Sequence, residues 1–62
     1  MTVKQLIETL TKQGYSLEGL ADKLEISYMT LYRWARGKGK PHSLFVKEMN
    51  RLIQEKANQV ND

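Results

Sequence analysis

Two short helical patterns, joined by a turn at residues 25–27, constrain the fold of this chain more than any other feature. Each pattern has the spacing of one buried face of a short helix. The first pattern comprises Leu17, Leu20, Ala21 and Leu24, and the second comprises Leu31, Trp34 and Ala35. Two helices joined by so short a turn must cross steeply, and the small side chain of Ala21 permits their close approach. The sequence therefore predicts a steeply crossed pair of helices in the middle of the chain.

Serine residues mark the predicted starts of these two helices. Ser16 precedes the first pattern and Ser27 precedes the second. A serine hydroxyl at such a position accepts a hydrogen bond from an unpaired amide of the first helical turn. We predict that the first helix of the pair ends near Leu24 and that the second covers residues 28–36, with Ile26 of the turn pointing inward.

A further helix is predicted before this pair, over residues 2–13. Thr2 is expected to cap it, and Gly14 is expected to end it because glycine readily adopts the left-handed conformation found after many helices. Its apolar face comprises Val3, Leu6, Ile7 and Leu10.

A last helix is predicted after the pair. The segment 37–42 holds two glycines and a proline and cannot continue a helix. Ser43 is expected to cap a helix that ends near Lys56, and its apolar face comprises Phe45, Met49, Leu52 and Ile53. Residues 57–62 are polar and lack periodicity, so we expect a frayed tail there and a folded domain over residues 1–56.

Length and composition limit the classes of protein that this chain can belong to. A chain of 62 residues forms one small domain, here an all-α, compact domain of four helices. Without cysteine it has neither a disulfide framework nor a thiolate zinc site. Because no nucleophile–histidine pair, phosphate loop or metal-ligand cluster is recognisable, we expect no enzyme activity and no cofactor. No signal-peptide pattern and no long apolar run is present, so a soluble, cytoplasmic protein is expected.

The positive charge of the chain is concentrated in one segment. The formal net charge is +3, and residues 33–40 contain four cations and no acid. These cations are Arg33, Arg36, Lys38 and Lys40. The six cations elsewhere are outnumbered by the seven acids. A local patch of this kind is expected of a docking surface for an acidic partner.

The outward face of the second helix of the pair combines cations with aromatic and thioether side chains. At about 100° per residue, the residues on or beside this face are Tyr28, Met29, Thr30, Tyr32, Arg33 and Arg36. The major groove of DNA is about 12 Å wide and admits one helix, whose outer side chains then reach the base edges. We therefore predict double-stranded DNA as the partner.

Residues 16–41 resemble the helix-turn-helix of the phage Cro and repressor family, also called the Xre family. The resemblance rests on the segment SLEGLA at 16–21, the segment RGKGKP at 36–41 and the intervening residues Leu24, Ile26, Ser27, Leu31 and Trp34. It implies a lambda repressor-like fold of four helices. The full fifth helix that the family commonly uses for dimerisation is not expected in this chain.

The resemblance also implies which side chains contact DNA. Arg33 would pair with guanine through two hydrogen bonds, which contribute ~1–3 kcal/mol of discrimination. The implied base-reading residues are Tyr28, Met29, Thr30 and Arg33. The residues implied at the groove wall or at phosphates are Ser16, Ser27, Tyr32, Arg36, Lys38, Lys40 and His42.

Two positions depart from the family pattern. Leu17 stands where the family usually has a phosphate-binding glutamine, so Ser16 and the amides at the helix start are expected to supply that contact. Glu25 stands where the turn usually has glycine. A glutamate held at positive φ would cost on the order of 1 kcal/mol, so we expect the turn to be slightly altered.

Several of these features also have a simpler structural interpretation. The basic segment can be a solvated loop, and His42 can be an exposed loop residue without a ligand. Trp34 is expected in the core rather than on a binding surface. Tyr28 and Tyr32 are four residues apart and can pack on each other or on the preceding helix.

The function predicted from these features is that of a sequence-specific regulator of transcription that binds double-stranded DNA. We expect a repressor that reads the major groove with residues 28–36. The alternative is a protein-interaction adaptor or antitoxin-type partner that uses the same fold. A weak homodimer is expected through the last helix and the C-terminal end, around Met49, Leu52, Ile53 and Val60.

Overall fold

A computed structural model describes residues 2–58, most of which are helical. The helices are α1 (Val3–Lys12), α2 (Leu17–Leu24), α3 (Tyr28–Ala35) and α4 (Ser43–Asn58). Within residues 2–58 there is no strand. The predicted all-α architecture of four helices is confirmed.

Three of the four helices begin at the predicted caps. The Thr2 hydroxyl accepts from the amide of Gln5 at 3.1 Å, and the Gln5 side chain accepts from the amide of Thr2 at 2.9 Å, which completes a capping box. Ser16 accepts from the amide of Gly19 at 2.9 Å. Ser27 accepts from the amide of Thr30 at 3.1 Å. These local hydrogen bonds determine where α1, α2 and α3 start.

The start of α4 differs from the prediction by one residue. Ser43 is the first helical residue rather than the cap. The Nδ1 atom of His42 accepts from the amide of Leu44 at 3.1 Å, and the carbonyl of His42 accepts from the amide of Phe45 at 2.9 Å. An unprotonated imidazole nitrogen is an acceptor, so His42 does at this helix what serine does at the others.

The core is built entirely from hydrophobic side chains on all four helices. Leu31 is the one residue of α3 that is fully buried, and α4 contributes Met49 and Leu52. Among the described residues, the buried set is Leu6, Ile7, Leu10, Leu20, Ala21, Leu24, Leu31, Met49 and Leu52. Burial of one large side chain contributes roughly 1.5–3 kcal/mol to stability. Burial of this set therefore offsets the conformational entropy that the chain loses on folding.

Burial of α4 corrects the predicted dimer surface. Met49 is 0% exposed and Leu52 is 2% exposed, so neither side chain is available to a second chain. Ile53 is half-buried and packs against the same core. Val60 lies outside the described residues. The apolar spacing of these residues reflects the packing of α4 on its own domain rather than on a partner.

The C-terminal boundary of α4 also lies beyond its predicted position. The helix continues through Ala57 and Asn58 instead of ending near Lys56. The rest of the predicted tail, residues 59–62, lies outside the described residues.

α1 packs against both α3 and α4, and α2 packs against α3. At the end of α1, the side-chain amide of Gln13 donates to the carbonyl of Ile53 at 3.3 Å, and this hydrogen bond joins α1 to α4.

Candidate nucleic-acid interface

The turn between α2 and α3 determines the direction in which α3 leaves the domain. Glu25 ends α2 in the left-handed conformation, with φ 58° and ψ 42°. Its amide donates to the carbonyl of Asp22 at 3.1 Å, and the amide of Ile26 donates to the carbonyl of Ala21 at 3.0 Å. This pair of bonds is the Schellman motif. Glu25 therefore keeps the left-handed turn in spite of its cost, and Ile26 packs against the core as predicted.

The inner face of α3 anchors the helix. Leu31 is fully buried, and the half-buried Trp34 packs against the core and against Phe45, with ring centroids 5.4 Å apart. Gly39 of the following loop lies on the other side of the indole, where a Cβ would be 3.5 Å from Trp34 Nε1. Trp34 is therefore a packing residue, as the sequence predicted.

On the outer face of α3, one row of side chains is held by mutual contacts. Tyr28 and Tyr32 stack with ring centroids 6.2 Å apart and an interplanar angle of 21°. The Nη1 atom of Arg36 donates to the Tyr32 hydroxyl at 3.1 Å, and its guanidinium carbon lies 5.6 Å from the ring centroid. All three residues are exposed. We call Tyr28, Tyr32 and Arg36 the stacked row.

A second row on the same face has no such contacts. Met29 is 60% exposed, and Arg33 is exposed one turn further along the helix. Within residues 2–58, the guanidinium of Arg33 makes neither an ion pair nor a side-chain hydrogen bond. We call Met29 and Arg33 the open row. Its side chains are accessible to a ligand without breaking an internal interaction.

Thr30 lies at the edge of this face with its hydroxyl engaged in the helix cap. Its Oγ1 atom is 2.8 Å from the Oγ atom of Ser27, and Thr30 is half-buried. Both hydroxyls therefore already have a partner. Thr30 and Ser27 lie at the N-terminal end of α3, and because one hydroxyl donates to the other, the second hydroxyl proton remains to be donated to an additional acceptor.

The basic loop after α3 is well defined by backbone hydrogen bonds. Gly37 has φ 81°, its amide donates to the carbonyl of Trp34 at 3.0 Å, and the amide of Lys38 donates to the carbonyl of Arg33 at 2.9 Å. This second Schellman motif ends α3. Lys38 and Lys40 are exposed on the loop, which leaves both ammonium groups in solvent beside the C-terminal end of the outer face.

One cation at this end was not found by sequence reasoning. Lys4, at the start of α1, lines the same open cleft as Lys40, Pro41 and Trp34. The two lysines are far apart along the chain, and no local pattern connects them. Only the packing of α1 against α3 brings the start of α1 to the loop.

The opposite end of the interface has a different charge. Ser16 and Tyr28 line one shallow groove between the starts of α2 and α3, together with the carboxylates Glu18 and Asp22. Like charges repel at short range, so these two acids disfavour a phosphate near Ser16. The Ser16 hydroxyl already accepts from the amide of Gly19. The lysines of the loop have no such acidic neighbours in segment 33–42.

The arginine of α4 shows how differently a guanidinium can be surrounded. Arg51 forms ion pairs with Glu48 and with Glu55 on the same exposed helical face. The hydrogen bond from Arg51 lowers the pKa of the Glu48 carboxyl below its ordinary value of 4.5. Both interactions hold the Arg51 charge next to carboxylates, whereas α3 contains no acidic residue at all.

The geometry is that of a helix-turn-helix DNA-binding domain, in which α2 supports a projecting α3 with a cationic outer face. The family model for the helix-turn-helix domain HTH_3, which is of the Cro and C1 repressor type, matches residues 3–57. The chain therefore belongs to the Xre helix-turn-helix family, and the resemblance noted from its sequence is confirmed. No curated protein and no solved structure matches the chain significantly.

Membership of this family implies DNA binding, and HTH_3 domains are typically non-catalytic. No group of His, Cys, Asp and Glu side chains in the described residues could hold a metal ion. No helix of residues 2–58 is long and apolar enough to cross a membrane.

Proposed function

We propose that this protein is a sequence-specific regulator of transcription that acts as a repressor and reads the major groove of DNA with α3. The observation that carries this proposal is the open row. An exposed guanidinium and an exposed thioether lie side by side on the projecting helix, and within residues 2–58 the Arg33 guanidinium has no ion pair and no side-chain hydrogen bond. Such side chains are free to meet base edges.

Each residue of the outer face has a chemically suitable role at a base. Arg33 donates two hydrogen bonds to the O6 and N7 atoms of guanine, which is the commonest specific contact in the major groove. Met29 offers an apolar surface to the methyl group of thymine, and the exposed ring of Tyr28 does the same at the start of the helix. Thr30 contacts a base through the hydrogen-bonding capacity that its hydroxyl retains beside Ser27.

Contacts to phosphates fix the register of α3 without reading sequence. We assign Lys38, Lys40 and Arg36 to this role, with Lys4 added because it lines the cleft beside Lys40. Tyr32 and Ser27 lie at the groove wall. The Nε2 atom of His42 is the one that faces a phosphate, because Nδ1 already accepts from the amide of Leu44. Ser16 is a weaker candidate than the loop residues because Glu18 and Asp22 are close to it.

A weak dimer assembled on DNA remains part of the proposal. Helix-turn-helix proteins commonly occupy two half-sites about one DNA turn apart. With Met49 and Leu52 in the core, the exposed apolar residue of α4 is Leu44, which is 65% exposed and adjoins Lys23 and Glu48. A footprint that covers two symmetric half-sites supports the dimer. Light scattering of a strict monomer, with a footprint of one half-site, contradicts it.

The proposed function is tested by selecting duplexes from a random pool with the full chain. Affinity is then measured against salt concentration for the selected duplex and for a scrambled duplex of equal length. We expect the selected duplex to bind at least about 10³-fold more tightly and both affinities to fall with salt. Equal affinities without a salt slope contradict DNA recognition and favour the adaptor or antitoxin-type alternative.

A further inference from the structure

The stacked row holds a cationic side chain in one place at the end of α3. Arg36 is the last of its three members and follows Ala35, the final residue of the helix. An arginine at such an exposed position ordinarily samples many rotamers and loses that freedom when it binds a ligand. Here the Nη1 atom of Arg36 donates a hydrogen bond to the Tyr32 hydroxyl, and the guanidinium lies beside the Tyr32 ring. The hydrogen bond restricts Arg36 before any ligand arrives.

Tyr32 is itself restricted from its other side. Its ring stacks on Tyr28, one helical turn earlier, and this spacing places the two side chains next to each other on the helix surface. The ring of Tyr28 therefore restricts the ring of Tyr32, and Tyr32 in turn restricts the guanidinium of Arg36. Neither tyrosine nor Arg36 has an acidic neighbour on α3.

The hydrogen-bond inventory of the Tyr32–Arg36 pair leaves donors free for an anion. A phenol hydroxyl is both donor and acceptor, and an arginine has five N–H donors. In this pair the Tyr32 oxygen accepts from Arg36 Nη1, so the Tyr32 O–H proton and the other guanidinium N–H groups remain to be donated. A hydroxyl that accepts from a cation is polarised and donates more strongly in turn.

We propose that Tyr32 and Arg36 form one phosphate-binding unit, in which Tyr32 positions the Arg36 guanidinium and donates its own O–H to the same DNA phosphate. The unit rests on the proposed function, because its ligand is the backbone of the duplex that α3 enters. Tyr32 is a positioning residue for Arg36 as well as a contact of its own. Arg33, in the open row, keeps the separate task of reading a base.

The unit makes an uncharged residue responsible for part of the salt dependence of binding. The slope of log affinity against log salt concentration reports the number of phosphates neutralised, at about 0.9 per contact on duplex DNA. If Tyr32 only lines the groove, replacing its hydroxyl leaves this slope unchanged. If Tyr32 positions Arg36, the Tyr32→Phe substitution reduces the slope although no charge has been removed.

The test is a double-mutant cycle with the full chain and a duplex selected from a random pool. The variants are Tyr32→Phe, Arg36→Gln and the double substitution, and Tyr15→Phe is the matched control because Tyr15 carries a phenol away from α3. Tyr32→Phe retains the ring that stacks on Tyr28, and thermal unfolding monitors the fold. Affinity is measured over a potassium chloride series for every variant.

We expect Arg36→Gln to weaken binding about tenfold and to reduce the salt slope by about 1. Tyr32→Phe should weaken binding about threefold to tenfold and also reduce the slope, and the loss in the double variant should be smaller than the product of the two single losses. Tyr15→Phe should bind as the wild type. Multiplicative losses in the double variant, or an unchanged slope in Tyr32→Phe, would overturn the phosphate-binding unit.

The failure of this inference is distinguishable from the failure of the proposed function. If the wild type binds the selected duplex specifically and with a salt slope, but the two substitutions act independently, only the coupling of Tyr32 and Arg36 is wrong. If the wild type shows neither specificity nor a salt slope, the function of α3 as a DNA reader is wrong and the unit fails with it.

Discussion

Helices α3 and α4 both expose arginine, but they surround it with opposite environments. Arg51 of α4 is held between Glu48 and Glu55 by ion pairs. Within residues 2–58, Arg33 of α3 forms no ion pair, and the side-chain hydrogen bond of Arg36 is to the uncharged phenol of Tyr32. A guanidinium that already has carboxylates must give them up before it binds a phosphate or a base. Local sequence around an arginine therefore determines whether its charge is available to a partner.

The difference between these helices extends to what they bury. α3 buries one residue fully and turns most of its length outward, whereas α4 inserts Met49 and Leu52 into the core. Helix α3 therefore presents an exposed surface, whereas α4 completes the core. Substitutions on the two helices test this difference, beginning with α4.

The largest expected effect is on stability, from Met49→Ala. Removing a fully buried side chain costs about 2–5 kcal/mol, and a single core of this size supplies only about 3–5 kcal/mol in total. The variant should be largely unfolded in thermal melts followed by circular dichroism. Leu44→Ala, on the exposed side of the same helix, should melt as the wild type. A native-like melt for Met49→Ala would contradict its place in the core.

Arg33→Ala should have the next largest effect, on affinity for the selected duplex. Loss of a paired contact to guanine costs ~1–3 kcal/mol, which is about 5-fold to 150-fold in affinity. Arg51→Ala removes the same group from α4 and should change affinity by less than about twofold, because exposed ion pairs contribute little. Fluorescence anisotropy on both variants measures the contrast. Equal losses would show that charge alone, rather than its place on α3, determines binding.

Glu25→Gly should stabilise the protein by about 1 kcal/mol or less, because glycine adopts the left-handed conformation that Glu25 is forced into. The melting temperature should rise by several degrees, since 1 kcal/mol corresponds to about 4–8 °C in a domain of this size. Affinity for DNA should be unchanged. Glu18→Gly, the same substitution inside α2, should instead lower stability. Destabilisation by Glu25→Gly would mean that the glutamate side chain has a role beyond the turn.

The smallest expected effect is the pH dependence contributed by Glu48. Its pKa is lower in the folded protein than its ordinary 4.5, because Arg51 hydrogen-bonds the carboxylate. The folded state therefore binds fewer protons than the unfolded state, and the contribution to stability is present above pH 4.5 and is lost as pH falls through the lowered folded pKa. Glu48→Gln should show a slightly smaller loss of melting temperature on acidification. An identical pH profile in both proteins would contradict the contribution of this ion pair.

Much of this fold follows from short-range patterns in the sequence. The four apolar periodicities predicted four helices, and Thr2, Ser16 and Ser27 predicted three of their starts. The start of α4 was missed because His42 precedes Ser43, and serine is the more common cap. The imidazole nitrogen accepts from the amide of Leu44 instead. Caps depend on one hydrogen bond, so two neighbouring acceptors compete and the sequence alone does not rank them.

The predicted interface of α4 failed for a different reason. The spacing of Met49 and Leu52 indicates that one face of the helix is buried, but periodicity carries no information about what buries it. Packing of α4 against α1 shows that the domain itself covers these residues. A short chain must use almost every apolar face for its own core, and this left the two residues unavailable to a second chain.

The tyrosines of α3 show the same limit at the candidate site. Their spacing predicts that they can touch, and the sequence left open whether they stack on each other or face a groove. The structure stacks Tyr28 on Tyr32 while both remain exposed, so their packing on each other is observed and their contact with a groove stays a prediction. The contact between Arg36 and Tyr32 follows the same spacing one turn later, but spacing alone does not show which side chains will hydrogen-bond.

By itself, the sequence determined the helices, the family and the segment in which the positive charge is concentrated. All of these depend on residues within about one or two helical turns of each other, where hydrogen bonding and side-chain spacing act locally. Tertiary structure alone decided that Met49 and Leu52 are internal and that Lys4 and Lys40 line one cleft. Those outcomes depend on which surfaces meet when the chain folds, because burial and contacts between distant segments are properties of the assembled domain rather than of any one segment.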